Sequence, residues 1–359
     1  MALQSNGLIK LSDIAAEFGG TPPLKLGNYY AGGAFVPAGL IGVPSSGLIK
    51  FSDFYGKAKP IAQVGYLLLA AGTIDSNNMT ITSATQKYFY ETGSSSAGAS
   101  LGQTKTNPAA AGNAQVGFIS GGYDSNLSAL SSTEKYTFDN DARVASTALG
   151  TARGSLASCG NATVGLFAGG SPDFFAQTNV TDLINYSTAV RTSGSVLSAS
   201  MHGMAACSNA TIGVIGGGGY GDFSQFTYLA STDRYVYSNN NRVSGTALST
   251  ARMYLAAAGN IDFGFFVGGW AGASNLAVSD KYIHANNTRV AGASLGMARR
   301  SMGAGGNALN GIFAGGQTPT GSSSFVDRYT YADNTRVTGT ALTVTREAPG
   351  AVSSTPGHF

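Results

Sequence analysis

The stretch VSGTALSTARMYLAAAGN, residues 243–260, decides the fold because the chain writes it more than once. It returns as VASTALGTARGSLASCGN at 144–161 and as VAGASLGMARRSMGAGGN at 290–307. After each copy comes a short apolar run ending in a small residue and Gly: GLFAGG (165–170), GFFVGG (264–269) and GIFAGG (311–316). Three further runs, LLLAAG (67–72), GFISGG (117–122) and GVIGGG (213–218), bring the set to six. Taking the closing Gly at 72, 122, 170, 217, 269 and 316, the copies repeat every 47 to 52 residues.

Each copy continues with an aromatic strand: QKYFY (86–90), EKYTF (134–138), DLINY (182–186), DRYVY (233–237), DKYIH (280–284) and DRYTY (327–331). Tyr235 and Tyr237 stand two apart and therefore share one face of a strand. A polar turn such as NNNRV (239–243) or DNTRV (333–337) follows, and then the residue that opens the next copy. Each unit thus has four short strands, a to d. At a period near 50 this is a propeller blade, and blades that cannot cover their own faces must stack radially around a channel. The expected fold is all-β, a six-bladed propeller over residues 63–359. The first blade-like strand (64–72) has no a strand ahead of it, and the last segment, REAPGAVSS (346–354), aligns with strand a and has no b strand after it. The C-terminal strand is therefore expected to complete the N-terminal blade and shut the ring.

With its Gly-Gly ending on strand b, Tyr on strand c and Arg opening strand a, the chain resembles a kelch-type propeller. It departs from that pattern after strand c, where the kelch Trp is replaced by Arg143, Arg242, Arg289 and Arg336, each followed by Val, and by Arg191, followed by Thr192. The single Trp, Trp270, falls in a loop.

A shorter repetition precedes the propeller: GLIKLSDI (7–14) and GLIKFSDF (47–54). Ser12 or Asp13 is expected to cap one short helix, and Ser52 or Asp53 another. The wording SDIAAEFGG, NYYAGGAFVP and GLIKFSDFYG across residues 5–57 resembles an N-terminal module of structural proteins in tailed bacteriophages. That resemblance implies a virion protein of tail-fibre or appendage type, with residues 1–58 attaching to other tail proteins and the propeller displayed. Tail fibres are commonly trimeric, an expectation that rests on the resemblance alone.

Charged residues are only 11% of 359, with 21 basic against 18 acidic and a net charge of +3. They are scattered, whereas nucleic-acid binding leaves a basic cluster, so no nucleic-acid partner is expected. The start lacks the layout of a signal peptide, and the longest apolar run, VGYLLLAAG (64–72), is too short to span a bilayer. A virion location without membrane insertion is the expectation. Cys159 and Cys207 hold the same slot in neighbouring copies and are expected to be free, buried thiols.

Catalysis finds little support. The three histidines are His202, His284 and His358, and His284 takes a slot filled by Tyr or Phe elsewhere. No cluster has metal-ligand spacing, so neither metal nor cofactor is expected. The Asp-box wording of the six-bladed sialidases is absent. GGGGYG (216–221) lacks the helix and the Lys-Ser/Thr of a phosphate loop. The acids of strand c (Glu134, Asp182, Asp233, Asp280, Asp327) recur once per blade and are read as structural. The cations opening strand a (Lys105, Arg153, Arg252, Arg299, Arg346, with Met201 in the one remaining copy) would ring one mouth of the channel. There they could hold an anionic sugar or phosphate, or instead pin neighbouring blades through backbone carbonyls, which is the preferred reading.

Repeated residues build the scaffold, so function is sought where copies disagree, in the b–c loops at 73–84, 123–132, 171–181, 219–231, 270–278 and 317–325. These carry Tyr123, Phe174, Phe175, Tyr220, Phe223, Phe226, Trp270 and Phe325, either a recognition surface on one face or rings folded back over the blade edges. Aromatic faces beside Asn, Ser and Asp suit carbohydrate. The expected role is adsorption of the particle to a host surface glycan or envelope protein, without chemistry. The competing readings are a purely architectural tail, baseplate or decoration protein and a glycan-cleaving enzyme.

Overall fold

Strand b of every copy is apolar along its length and buried on both faces, so it can exist only sandwiched between other strands and other blades. The computed structural model describes residues 3, 9–20, 23, 25–31, 36, 43–54, 65–173, 176–222 and 225–357. It divides into two units, Met1–Gln63 and Val64–Phe359.

The larger unit is a six-bladed β-propeller of antiparallel blades. In the fifth blade the strands are Ala256–Gly259 (a), Phe263–Val267 (b), Ser279–Ile283 (c) and Thr288–Ala291 (d). The first blade is stitched from both chain ends, with Gly350–Ser353 as strand a beside Tyr66–Ala70, Thr85–Phe89 and Ser95–Gly98. Its register pairs Leu67 with Ser353 and Ala70 with Gly350, which is the closure expected from the repeat pattern. In the fourth blade strand b runs on from Ile212 to Gly221 and folds back as Phe226–Tyr228.

The repeated Gly-Gly has a specific cause. The second Gly donates its N–H to the carbonyl of the residue opening the next blade, as Gly269 does to Arg299 (3.0 Å) and Gly316 to Arg346 (2.7 Å). The first Gly lies against the same carbonyl: a Cβ on Gly268 (φ 64°) would stand 2.5 Å from Arg299 O. Left-handed backbone in contact with a neighbouring chain segment leaves room for hydrogen only. In the fourth blade the donor is Gly218, bonded to Arg252 O at 2.8 Å, so the closing Gly of that copy is 218 rather than 217. Between blades, the Tyr of strand c fills the wedge: Tyr136, Tyr235, Tyr282 and Tyr329 are fully buried. Near the axis six a strands converge, and Ala and Gly there keep a narrow channel open. Cys159 and Cys207 are free and buried, as expected, and burial pushes the Cys159 thiol up to about 12.

In the smaller unit, Leu11–Phe18 is an α-helix and Phe51–Phe54 a single 3₁₀ turn. The two GLIK copies work alike, but not as N-caps: Asp13 and Asp53 reach back to accept the N–H of Lys10 (2.8 Å) and Lys50 (2.7 Å). This is the returning arm of a capping box, placed three residues inside the turn. Ile14, Phe18, Tyr29, Val36 and Phe54 form its apolar core. Among the described residues no helix is long and apolar enough to cross a membrane.

Candidate binding site at one mouth of the channel

Strand a runs from the face carrying the b–c loops, called upper, to the face carrying the a–b turns, called lower. The cations opening strand a do not line the upper mouth. Arg153, Arg252, Arg299 and Arg346 are at most 2% exposed, and Lys105 is sealed as well. Arg153 donates to Gly169 O (2.7 Å) and Phe167 O (3.2 Å) of its own blade and pairs with Asp182 at 3.0 Å, while Arg191 approaches the other carboxylate oxygen at 2.8 Å. The same cation–carboxylate–Arg set recurs as Arg252–Asp280–Arg289, as Arg299–Asp327–Arg336 and, more loosely, as Lys105–Glu134–Arg143. A guanidinium without water is tolerable only when its donors and charge are met inside the protein. The first blade has Gln86 in place of the acid, so Arg346 relies on the carbonyls of Ala71 and Ala84, and burial lowers its pKa to about 10. Where the sequence favours pinning of neighbours, these side chains instead clamp their own blade, and it is their backbone N–H and C=O groups that bond to the preceding blade.

The mouth itself is formed two residues further on. Asn107, Ser155, Gly203, Tyr254, Ser301 and Ala348 all have positive φ, between 50° and 66°. Each donates its N–H to the carbonyl of the equivalent residue in the adjoining blade, from Asn107 to Ala348 (3.0 Å) round to Ser155 to Asn107 (3.0 Å). The result is a closed backbone belt of six hydrogen bonds. At the lower mouth the joining is done by side chains: Asn113, Asn161, Asn209 and Asn260 each donate Nδ2 to a carbonyl of the following blade, at 2.9 to 3.4 Å.

Inside the upper belt lies a basin of about 210 Å³. Three successive blades supply its distinctive side chains: Tyr254, Arg300 and Glu347. Arg300 is half-buried, its guanidinium carbon 4.4 Å from the centre of the Trp270 ring and its Nη1 3.4 Å from Asn275 Oδ1. Its backbone pairs with Gln317 in both directions (3.1 and 2.7 Å), which fixes where the side chain leaves the strand. Among the described residues no carboxylate lies within ion-pair distance of it. Glu347 is 9% exposed and its Oε2 has no hydrogen-bond partner. Burial pushes its pKa up to about 7, while the Arg300 charge pulls the other way. Burial likewise keeps the Tyr254 phenol protonated, its pKa raised to about 12. His202 packs beneath, 5.4 Å from Phe226 and 5.9 Å from Tyr254.

The loop aromatics named from sequence divide. Tyr123 is fully buried: its O–H donates to Ser171 O (2.9 Å) and its ring occupies the space left by Gly154, so it is a packing residue and not part of a recognition surface. Tyr220 and Phe325 are each 43% exposed. Trp270 and Phe226 are half-buried, the first beneath Arg300 and the second against His202 and Tyr228. Phe174, Phe175 and Phe223, with His358, lie outside the described residues. The b–c loops are latched to one another, Ser76 with Ser322 (3.1 and 3.2 Å) and Gln177 with Gly221 (3.1 and 3.2 Å). Sequence reasoning missed Tyr254, Arg300 and Glu347, although the signal was there. The two positions after each opening residue read TN, GS, HG, MY, RS and EA, and differ in every copy.

Fold and site together define a six-bladed β-propeller with a polar, aromatic-edged basin at one end of its channel. The chain matches no protein-family model and no curated protein.

Proposed function

We propose that the chain is an appendage protein of a tailed-phage particle whose propeller binds a host surface glycan through its upper face. Residues 1–58 carry the attachment role, by their resemblance to phage structural modules. The observation that supports glycan binding is the gathering of Tyr254, Arg300 and Glu347 around one basin, with Trp270 stacked on Arg300 and exposed Tyr220 and Phe325 among the upper-face loops. Stacking surfaces beside fixed donors and acceptors are what sugar rings require. The chain enters the propeller at Gly65, at the lower end of strand b, so the loops of the upper face are not needed for the connection. Several heads on one particle would raise weak single-site binding by about 10²–10⁴.

Labelled full-length protein is expected to stain bacterial cells that carry the receptor glycan. A Trp270→Ala, Phe325→Ala double variant with an unchanged melting curve should lose at least about tenfold in apparent affinity, since buried-edge aromatics dominate such interfaces. Staining that the double variant leaves intact, or that survives removal of surface polysaccharide, defeats the reading.

A further inference from the structure

We infer that the basin between Tyr254, Arg300 and Glu347 is a subsite for a single carboxylate-bearing sugar residue. This rests on the glycan-binding reading above and narrows it to a chemical class. Three features carry it.

The first is charge. Of the cations near this mouth among the described residues, those opening strand a are sealed and mostly paired, whereas Arg300 lines the basin, stacked on an indole and bonded to an amide, with the Glu347 carboxyl facing it beyond ion-pair distance. A guanidinium stacked on Trp270 keeps its plane and offers its fork of donors to a planar anion, which suits a carboxylate bidentately. With Glu347 protonated, as its raised pKa of about 7 allows below that pH, the one reachable cation among the described residues of the basin answers one negative charge. A phosphate dianion would call for more.

The second is the opposite wall. Glu347 Oε2 is buried and without a partner, an arrangement that costs stability unless something supplies the hydrogen bond. A sugar hydroxyl can give or take that bond whichever way the carboxyl is protonated. With Tyr254 on the third side, the pocket has a charged donor, a hydroxyl partner and an aromatic wall, one from each of three adjoining blades.

The third is size and stiffness. A volume of about 210 Å³ is below the roughly 300–1,000 Å³ of pockets for drug-sized ligands. It admits one ring, with the rest of a chain running out over Met79 and Leu127, which are exposed at the rim (53% and 44%). The residues are mounted on the backbone belt, so little ordering remains for the ligand to impose.

Titration calorimetry on the full chain tests this with three probes: a galacturonic acid trisaccharide, the same trisaccharide with its carboxyls reduced to alcohols, and inorganic phosphate. The acidic sugar is expected to bind about ten- to a hundredfold more tightly than the reduced one, the usual worth of a hydrogen-bonded charge. Arg300→Gln should erase that preference, and Arg300→Lys, which keeps charge but not the fork, should retain only part of it. Equal binding of the acidic and reduced sugars overturns the inference, as does tighter binding of phosphate or an Arg300→Gln protein that keeps the preference. If Arg300→Gln does not fold, the comparison of the two sugars on the unaltered protein decides alone. Cell staining without any preference for the acidic sugar removes the subsite and leaves adhesion standing. The preference without cell staining does the reverse.

Discussion

The two mouths of the channel are closed by different chemistry, and the difference explains where this chain could diversify. At the upper mouth the blades are joined by backbone groups, N–H to carbonyl, through six residues in the left-handed region. No side chain takes part in that belt, so Asn, Ser, Gly, Tyr, Ser and Ala can all occupy it. At the lower mouth each Asn uses its Oδ1 to hold its own a–b turn and its Nδ2 to reach the next blade. There the side chain is the joint at Asn113, Asn161, Asn209 and Asn260, while Asn307 holds its own turn and Ser354 takes the sixth slot. Variation collects where the backbone carries the load. That is why the basin lies at the upper end.

The upper belt passes through the C-terminal segment, which makes its removal the largest expected effect. Ala348 is a link of the upper belt, and Ser354 exchanges hydrogen bonds with Tyr66 beside the lower one. Deleting 346–359 strips strand a from the first blade, opens the upper belt and leaves the apolar strand Tyr66–Ala70 with a bare inner edge. The truncated protein is expected to lose cooperative thermal unfolding altogether, as followed by calorimetry. A sharp transition would mean that the upper belt and the closing strand are not needed to hold the disc.

The next effect separates the mouths by pH. His202 lies under the upper mouth, its ring nitrogens without a hydrogen-bond partner among the described residues, and His284 lies at the lower end of strand c beside the Phe263 backbone, each at most 3% exposed. Burial lowers both from 6.5 to about 4. In the unfolded chain each takes up a proton below about 6.5 that the folded protein refuses until about 4, so stability falls as pH drops through that window. The difference amounts to at most roughly 3 kcal/mol for each ring. Glu347 works the other way, its raised pKa taking away stability as pH rises from 4.5 towards 7, which blunts the slope without reversing it. His284→Tyr restores the residue found at that slot in Tyr90, Tyr186, Tyr237 and Tyr331. It should leave stability at pH 7 within about 0.5 kcal/mol while removing most of the net loss between pH 6.5 and 4, because His202 and Glu347 then nearly offset one another, as measured by urea unfolding. An acid profile identical to that of the parent would show that His284 is not held neutral.

The scaffold was legible because every copy must satisfy the same bonds to its neighbours: the Gly-Gly, the Tyr and the Arg–Asp pairing recur for reasons each blade shares. The run of four Gly at 216–219 hid the register of one copy, since only contact with Arg252 O distinguishes 217 from 218. The site was legible only by half. Divergence between copies does mark it, but in the two letters after each opening residue as well as in the loops. Whether a cation at the start of a strand faces solvent depends on what covers it. The bridge from Arg300 to Gln317 brings the following residue, not the opening one, to the rim. Likewise Tyr123 reads as a loop aromatic until the absence of a Cβ at Gly154 is seen to make room for its ring.

The smallest predicted effect tests the belts against each other directly. Asn209→Ala removes the two turn-holding acceptor contacts to Thr211 and Ile212 N–H (both 2.9 Å) and the 3.2 Å donation to Ile261 O. Losses of this kind cost about 1–2 kcal/mol. Ser155→Ala, at the upper mouth, leaves the belt bonds of residue 155 in place because they belong to its N–H and C=O, and it loses only the hydroxyl contact with Tyr123, so the change should stay below about 1 kcal/mol. Denaturant midpoints at pH 7 measure both. If Ser155→Ala proves as damaging as Asn209→Ala, the upper belt depends on its side chains after all, and the freedom of the basin to diverge must have another cause.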